Sequence, residues 1–251
     1  MKIGITERGD ASLDYTWVNA VSSHYVDGAI LITKHITDKF IQTVMQLHNT
    51  GCRLIIHATC TGWGSTSVEP EVPAFNIQLL QLKKLIDTGF PKSNCVLRVD
   101  PIFPTKNGLN RLKTVITLAF TLGLLPDMRI RISVLDEYRH VKNRFIQLGY
   151  QPIYTGFSAP ASMMQETAHV LNLFDLQYEA CAEPALAKLS NKIVETGCIS
   201  KYDIELMGLS CDTVSENPQN RFGCKCLACK TELLCNKHRC FHKCAYCYWK
   251  D

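Results

Sequence analysis

From Ile3 to Cys181 the chain alternates short apolar, β-branched runs with longer stretches of helical period, and this alternation constrains the fold more than any single motif. Strands are predicted at Ile3–Thr6, Ala29–Thr33, Arg53–Thr59, Cys95–Val99, Arg129–Val134 and Gln177–Cys181. These runs are shorter than helices, and their Val, Ile and Thr side chains suit a pleated, buried ribbon. Between them, Asp38–His48 sets Phe40, Ile41, Val44, Met45 and Leu47 on one face, and Phe75–Ile86 does so with Ile77, Leu79, Leu80, Leu82 and Leu85. Leu109–Leu122, Arg139–Leu148 and Met163–Leu173 follow the same rule. Gly51, Gly89, Gly123 and Gly149 stand where helix ends need left-handed backbone. Six such β/α units predict a parallel sheet with helices outside. Six units fall short of a closed eight-unit barrel. The expected fold is therefore α/β, a partial (β/α)6 TIM-like barrel over residues 1–210. A flat doubly wound sheet is the rival. Against it, no Gly-x-Gly-x-x-Gly follows the first strand, and no phosphate-binding P-loop occurs anywhere.

The composition changes after Gly208. Residues 211–251 show neither period, yet hold eight of the chain's 13 cysteines. Such a segment cannot build a hydrophobic core alone and needs a metal or the sheet surface to order it. Two readings of its cysteines compete. Cys240-x-x-x-Cys244-x-x-Cys247, with Tyr246 before the last, offers three thiolates to a [4Fe–4S] cube and leaves the fourth iron open to a ligand's amine and carboxylate. Alternatively, Cys226-x-x-Cys229 and Cys244-x-x-Cys247 pair as a structural zinc site. The barrel expectation favours the cluster, because the three-cysteine motif and a six-unit barrel occur together in one enzyme superfamily.

That superfamily is the radical S-adenosylmethionine enzymes, and the resemblance spans nearly the whole chain. The chain resembles the spore photoproduct lyase branch. Within it, the similarity is greatest to an uncharacterised bacterial and phage group, a domain of unknown function, whose motif lies at the C-terminus. Its stretches are Ile5-Thr6-Glu7-Arg8-Gly9-Asp10, Ile32-Thr33-Lys34, Thr61-Gly62-Trp63-Gly64, Glu69-Pro70-Glu71-Val72-Pro73 and Leu97-Arg98-Val99-Asp100-Pro101-Ile102. Cys181-Ala182-Glu183-Pro184, Cys198-Ile199 and Cys224-Lys225-Cys226 follow, leading to Cys244-Ala-Tyr-Cys-Tyr248. Two departures stand out. In most of the superfamily the motif follows the first strand, whereas here it ends four residues from the C-terminus. The tail is therefore expected to fold back over the barrel mouth, with circular permutation as the alternative. The opening also reads Glu7-Arg8-Gly9-Asp10 where the group usually has Arg-Arg-Thr-Asp.

The resemblance implies reductive cleavage of S-adenosylmethionine to a 5′-deoxyadenosyl radical, which takes hydrogen from a substrate carbon. It implies Cys240, Cys244 and Cys247 as cluster ligands. Thr33 and Lys34 would hold the cofactor's carboxylate, Tyr246 would lie near its adenine, and Glu183 would meet its amine or the substrate. Cys181, Cys198, Cys224 and Cys226 would hold a second [4Fe–4S] cluster, and the same four thiolates suit a structural zinc. Cys60 would return hydrogen to a product radical, as a cysteine does in spore photoproduct lyase. Independently, the rule that chemistry gathers at strand C-termini nominates Glu7, Arg8, Lys34, His57, Thr59, Arg98, Asp100, Ser133 and Glu183. Arg98 and Asp100 share a strand face and are expected to pair, which suits a catalytic role or a purely structural one. His57 reads as a hydrogen-bonded core histidine.

The net charge of +4, from 27 basic and 23 acidic residues, neither demands nucleic acid nor excludes it. Kinship to spore photoproduct lyase implies a thymine-type base in DNA, for lesion repair or base hypermodification, and Lys225, Lys230, Lys237, Arg239 and Lys243 would suit phosphate contact. A reductant such as flavodoxin or ferredoxin is the implied protein partner. The sequence has no run of about eighteen apolar residues, so no membrane span is expected. The opening has no signal-peptide pattern and the cysteine usage suits a reducing, cytoplasmic compartment. The contrasting functions are a non-catalytic zinc-binding module for nucleic acid or protein, and an iron–sulfur electron carrier that leaves S-adenosylmethionine intact.

Overall fold

A computed structural model describes residues 1–210, 214–216, 223–235 and 240–249. Cys211, Lys237 and Arg239 lie outside the described residues. In chain order the elements are β1 (Ile3–Ile5), α1 (Trp17–Ser22), β2 (Gly28–Thr33), α2 (Asp38–Asn49), β3 (Leu54–Thr59), α3 (Phe75–Asp87), β4 (Cys95–Ile102) and α4 (Lys106–Thr121). There follow β5 (Arg129–Val134), α5 (Arg139–Gln147), α6 (Ala161–Asn172), β6 (Tyr178–Cys181), α7 (Pro184–Ala187), β7 (Ile193–Thr196), α8 (Lys201–Leu206) and β8 (Lys230–Glu232). The strands form one parallel sheet of eight, in the order β7-β6-β5-β4-β3-β2-β1-β8. From β1 to β7 each strand adds to the same edge. The order never reverses, so that stretch has no switch point of the doubly wound kind.

The six expected strands are present, and two more correct the count. β7 and β8 are short edge strands without the apolar alternation that marks the others. β8 arises in the cysteine-rich tail and lies parallel to β1, Ile3 opposite Lys230 and Ile5 opposite Glu232. The Glu232 carboxylate extends the seam by accepting the Glu7 and Arg8 N–H groups at 3.1 Å. The tail is thus part of the sheet.

Alternation along each strand separates two faces. Ala29, Leu31, Leu54, Ile56, Leu97, Ile130, Ile132 and Ala180 point to the helices and share one core with Phe40, Val44, Leu79, Leu82, Leu85, Leu112 and Val115. Leu79, Leu82 and Leu85 are fully buried, each worth about 2 kcal/mol of apolar burial. Gly51, Gly89, Gly123 and Gly149 all have the expected positive φ. The opposite face changes character across the sheet. It is apolar at Ile3, Ile5, Ile30, Ile32, Ile55 and Val96, which pack against Ile199, Ile204, Met207 and Leu227. In β4 beyond Val96, and in β5 and β6, the inward positions are instead Arg98, Asp100, Arg129, Arg131, Ser133, Glu179 and Cys181. α8 sits under this face at the start of the strands. Its Asp203 takes Arg129 Nη1 at 2.7 Å, and its Ser200 and Asp203 close a capping box.

Candidate functional site

A cavity of about 1020 Å³ opens at the C-terminal ends of the strands. It is lined from β1 by Glu7 to Asp10, from β2 by Thr33 and Lys34, from β3 by Thr59, and from β4 and β5 by Arg98, Asp100 and Ser133. Seven cysteines also line it, Cys181, Cys198, Cys224 and Cys226 in one set and Cys240, Cys244 and Cys247 in the other, together with His242, Tyr246 and Arg144. Parallel strands end here, so polar side chains that would be unsatisfied inside the sheet can face a common space.

The loop carrying Cys240, Cys244 and Cys247 is held at several points. His242 Nε2 donates to Asp10 Oδ2 at 2.7 Å, and its Nδ1 lies 3.2 Å from the Glu71 carbonyl. Arg144 donates to the Cys247 carbonyl at 2.6 Å and the Trp249 carbonyl at 2.9 Å. Ala245 N–H donates to the Val68 carbonyl at 2.9 Å. Asp10 is buried and also accepts from Ser12 N–H, Ser12 Oγ, Thr33 Oγ1 and Lys34 N–H at 2.6–2.9 Å. Burial alone would raise its carboxyl, but the His242 and Lys34 hydrogen bonds outweigh it and hold the group below the ordinary aspartate value.

A second buried cluster joins Lys34, Glu69 and Tyr246. Lys34 Nζ donates to Glu69 Oε1 at 2.9 Å, the Tyr246 hydroxyl lies in hydrogen-bond contact with both, and Thr61 donates to Glu69 Oε2 at 2.8 Å. Burial opposes the charge on Glu69, and Lys34, Tyr246 and Thr61 overcome it and keep the carboxylate ionised. Burial likewise opposes the charge on Lys34, yet Glu69 raises its value above that of a free lysine. An ammonium has three N–H donors, so Glu69 and Tyr246 leave one for a ligand.

The inner face of β4–β6 supports the other thiols. Arg131 donates to Glu179 at 2.6 Å and to the Cys198 carbonyl at 3.1 Å. Cys181 Sγ and Cys198 Sγ are 3.5 Å apart, and Cys198 N–H donates to Cys226 Sγ at 3.1 Å. Hydrogen bonds from the Cys181 and Cys226 thiols, aided by Arg98 and Arg131, hold Cys198 well below the usual thiol value against the effect of burial. Arg98 pairs with Asp100, which also takes the Ser133 hydroxyl. Among the described residues no three or more His, Cys, Asp or Glu side chains are spaced as a ready-made single-ion site.

The cavity therefore brings together Lys34, Thr33, Tyr246, Arg98, Asp100 and both cysteine sets. Three nominated residues fall outside its lining. Glu183 is buried and accepts the Val134 N–H at 2.9 Å, so that oxygen serves the β5 backbone. Cys60 is buried behind β3, its sulfur 3.7 Å from the Phe75 carbonyl, and burial pushes its thiol up to about 12. Both residues thus lie off the cavity lining. His57 is a fully buried core residue, held well below the ordinary histidine value by burial and then by Arg131. Tyr246 is also buried, its ring edge-on to Phe103 at 5.5 Å, so it fixes the loop as well as lining the cavity. Three contributors carry no role in the sequence reading: His242, Glu69 and Arg144. Two of them carry a local signal: His242 lies inside the cysteine motif and Glu69 opens the Glu69–Pro73 stretch. Of the tail's basic residues, Lys225 pairs with Glu195, Lys230 with Glu7 and Lys243 with Glu71.

No helix among the described residues is long and apolar enough to cross a membrane. No curated protein matches the chain. Among solved structures it is similar to a variant of a triazine hydrolase, with 13% identity, a TM-score of 0.38, and coverage of 72% of this chain and 44% of that one. The chain thus spans less than half the length of that structure. It is similar to a 3-hexulose-6-phosphate synthase with 11% identity, a TM-score of 0.29, and coverage of 84% of this chain and 100% of that one. A family model described as Domain of unknown function (DUF1848) matches residues 12–249, nearly the whole chain, and the chain belongs to that family.

Proposed function

We propose that the chain is a radical S-adenosylmethionine enzyme of the cytoplasm. In this reading its sheet is the wall of a partial barrel and its tail folds over the mouth. The supporting observation is the placement of Cys240, Cys244 and Cys247 on one cavity with Lys34, just past β2, and Arg98, within β4. The donor set fits the group. Three soft thiolates suit a [4Fe–4S] cluster, whose irons occupy separate corners, so its ligands need not converge on one point. Such a cluster, reduced by a flavodoxin- or ferredoxin-like donor, would cleave S-adenosylmethionine to a 5′-deoxyadenosyl radical.

The chain's own residues then have distinct tasks. Asp10, His242 and Arg144 fix the cysteine loop. The remaining donor of Lys34 meets a carboxylate in the cavity, and its Glu69 partner keeps that lysine charged. The Arg98–Asp100 pair with Ser133 forms the wall that orients a substrate C–H and excludes water. The resemblance offers a thymine-type base in DNA as substrate. The tail lysines add little to it, since Lys225, Lys230 and Lys243 already have carboxylate partners.

The test is anaerobic incubation of the iron-loaded chain with dithionite and S-adenosylmethionine. It is expected to yield methionine and 5′-deoxyadenosine, and Cys244→Ala is expected to abolish both. Absence of 5′-deoxyadenosine from the iron-loaded chain would refute the proposal. A thymine-containing oligonucleotide that raises turnover would support the DNA assignment, and indifference to it would redirect the search to small molecules.

A further inference from the structure

The second set of cysteines does not have the spacing of a second iron–sulfur cube. In a cube each thiolate binds its own iron at a separate corner, so the ligand sulfurs stand well out of contact. Cys181 Sγ and Cys198 Sγ are 3.5 Å apart, in direct contact. A tetrahedral zinc with Zn–S bonds of about 2.3 Å sets its sulfurs about 3.8 Å apart, a few tenths of an ångström from that separation.

We propose that Cys181, Cys198, Cys224 and Cys226 bind a single zinc ion that staples the tail to the far edge of the sheet. Cys181 ends β6, Cys198 follows β7, and Cys224 and Cys226 lead into β8. The ligands thus come from both edges of an open sheet. The two edges already approach one another there. Leu227 N–H donates to the Ile199 carbonyl at 3.2 Å, and Cys198 N–H donates to Cys226 Sγ at 3.1 Å. Gly197 packs so closely that a Cβ on it would lie 2.5 Å from the Lys225 carbonyl oxygen, so only glycine permits the approach. The four sulfurs do not yet converge on one point, so zinc binding requires the Cys224 and Cys226 side chains to turn toward Cys181 and Cys198.

Charge supports the assignment. Four thiolates around Zn²⁺ leave a net charge of about −2. Facing it are two buried guanidiniums. Arg131 donates to the Cys198 carbonyl, and Arg98, whose side chain is 10% exposed, keeps Nε without a hydrogen-bond partner among the described residues. That idle buried donor is explained by an anionic sulfur centre beside it. Four sulfur ligands leave no open coordination position, so the ion is structural.

The inference stands whether or not the three-cysteine motif holds iron. Metal analysis and zinc-edge X-ray absorption on the anaerobically purified full chain test it. About one zinc per chain with four sulfur neighbours at about 2.3 Å is expected. Cys198→Ser should lower zinc occupancy at least tenfold and leave iron unchanged, and Cys244→Ala should lower iron and leave zinc unchanged. One zinc without iron would support this site and refute the radical reading. Iron without zinc would overturn the zinc site and leave the radical reading standing. Nitrogen or oxygen among the zinc neighbours of the unmutated chain would also overturn it, even if Cys198→Ser fails to fold.

Discussion

Asp10→Asn is the perturbation whose effect can be worked out most fully. The carboxylate is buried and accepts five hydrogen bonds, three at Oδ1 and two at Oδ2. An amide keeps the shape but turns one oxygen into a donor. Placed at Oδ1 it confronts Ser12 N–H and forces two hydroxyls to reverse. Placed at Oδ2 it confronts Lys34 N–H, while His242 can rotate its proton arrangement to accept. The second orientation is the cheaper. It still leaves one buried N–H unsatisfied, costing about 1–3 kcal/mol, and removes a charge-assisted bond to His242 worth about 1.5–3 kcal/mol. A net loss of about 2–4 kcal/mol follows, because the two terms overlap. The pH dependence has a definite sign. Asp10 titrates below its ordinary value in the folded chain. Its contribution is therefore fully present above about pH 4 and is lost as pH falls through the folded value. The variant should lack that acid-limb loss. Urea titrations at pH 7 and between pH 5 and 3 would measure both effects, and protease cleavage within 240–249 would report release of the loop. A variant within about 0.5 kcal/mol of the parent at pH 7, with unchanged cleavage, would refute the clamp.

Glu69→Gln should destabilise by about 3–5 kcal/mol by leaving the Lys34 ammonium without its carboxylate, and adding Lys34→Met should recover part of the loss; calorimetry on the two variants checks this. Gly64→Ala should unfold the 61–73 loop or fail to express, because a Cβ there would sit 1.9 Å from the Pro73 carbonyl oxygen; parent-like thermal stability would contradict that packing.

The helical core was readable because period and burial coincide. In α3, Leu79, Leu82 and Leu85 recur at helical spacing and are buried, whereas Ile77 and Leu80, expected on the same face, are exposed. Strands β1 to β6 were readable as short, continuous apolar runs, because the sheet is covered on both faces. β8 was not, because Lys230-Thr-Glu232 has three half-buried polar residues and owes its strand to β1, more than 220 residues away. α1, α7 and α8 span six residues or fewer, too short to display a helical face. The site divided along similar lines. Lys34, Arg98 and Asp100 are conspicuous as polar side chains within or just past apolar strand runs. Glu69, His242 and Arg144 act through partners distant in sequence, so local patterns flag His242 and Glu69 but not what they hold. Glu183 and Cys60 carry motif-like contexts, yet Glu183 accepts the Val134 N–H of β5 and the Cys60 sulfur lies against the Phe75 carbonyl of α3.

The most direct test of the central claim is electron–nuclear double resonance on the reduced, iron-loaded chain. S-adenosylmethionine labelled with ¹⁵N in its amine and ¹⁷O in its carboxylate would be the ligand. An open iron in the cavity of Cys240, Cys244 and Cys247 predicts hyperfine coupling from both labels to the cluster. A fully loaded cluster with no coupling from either label would contradict it.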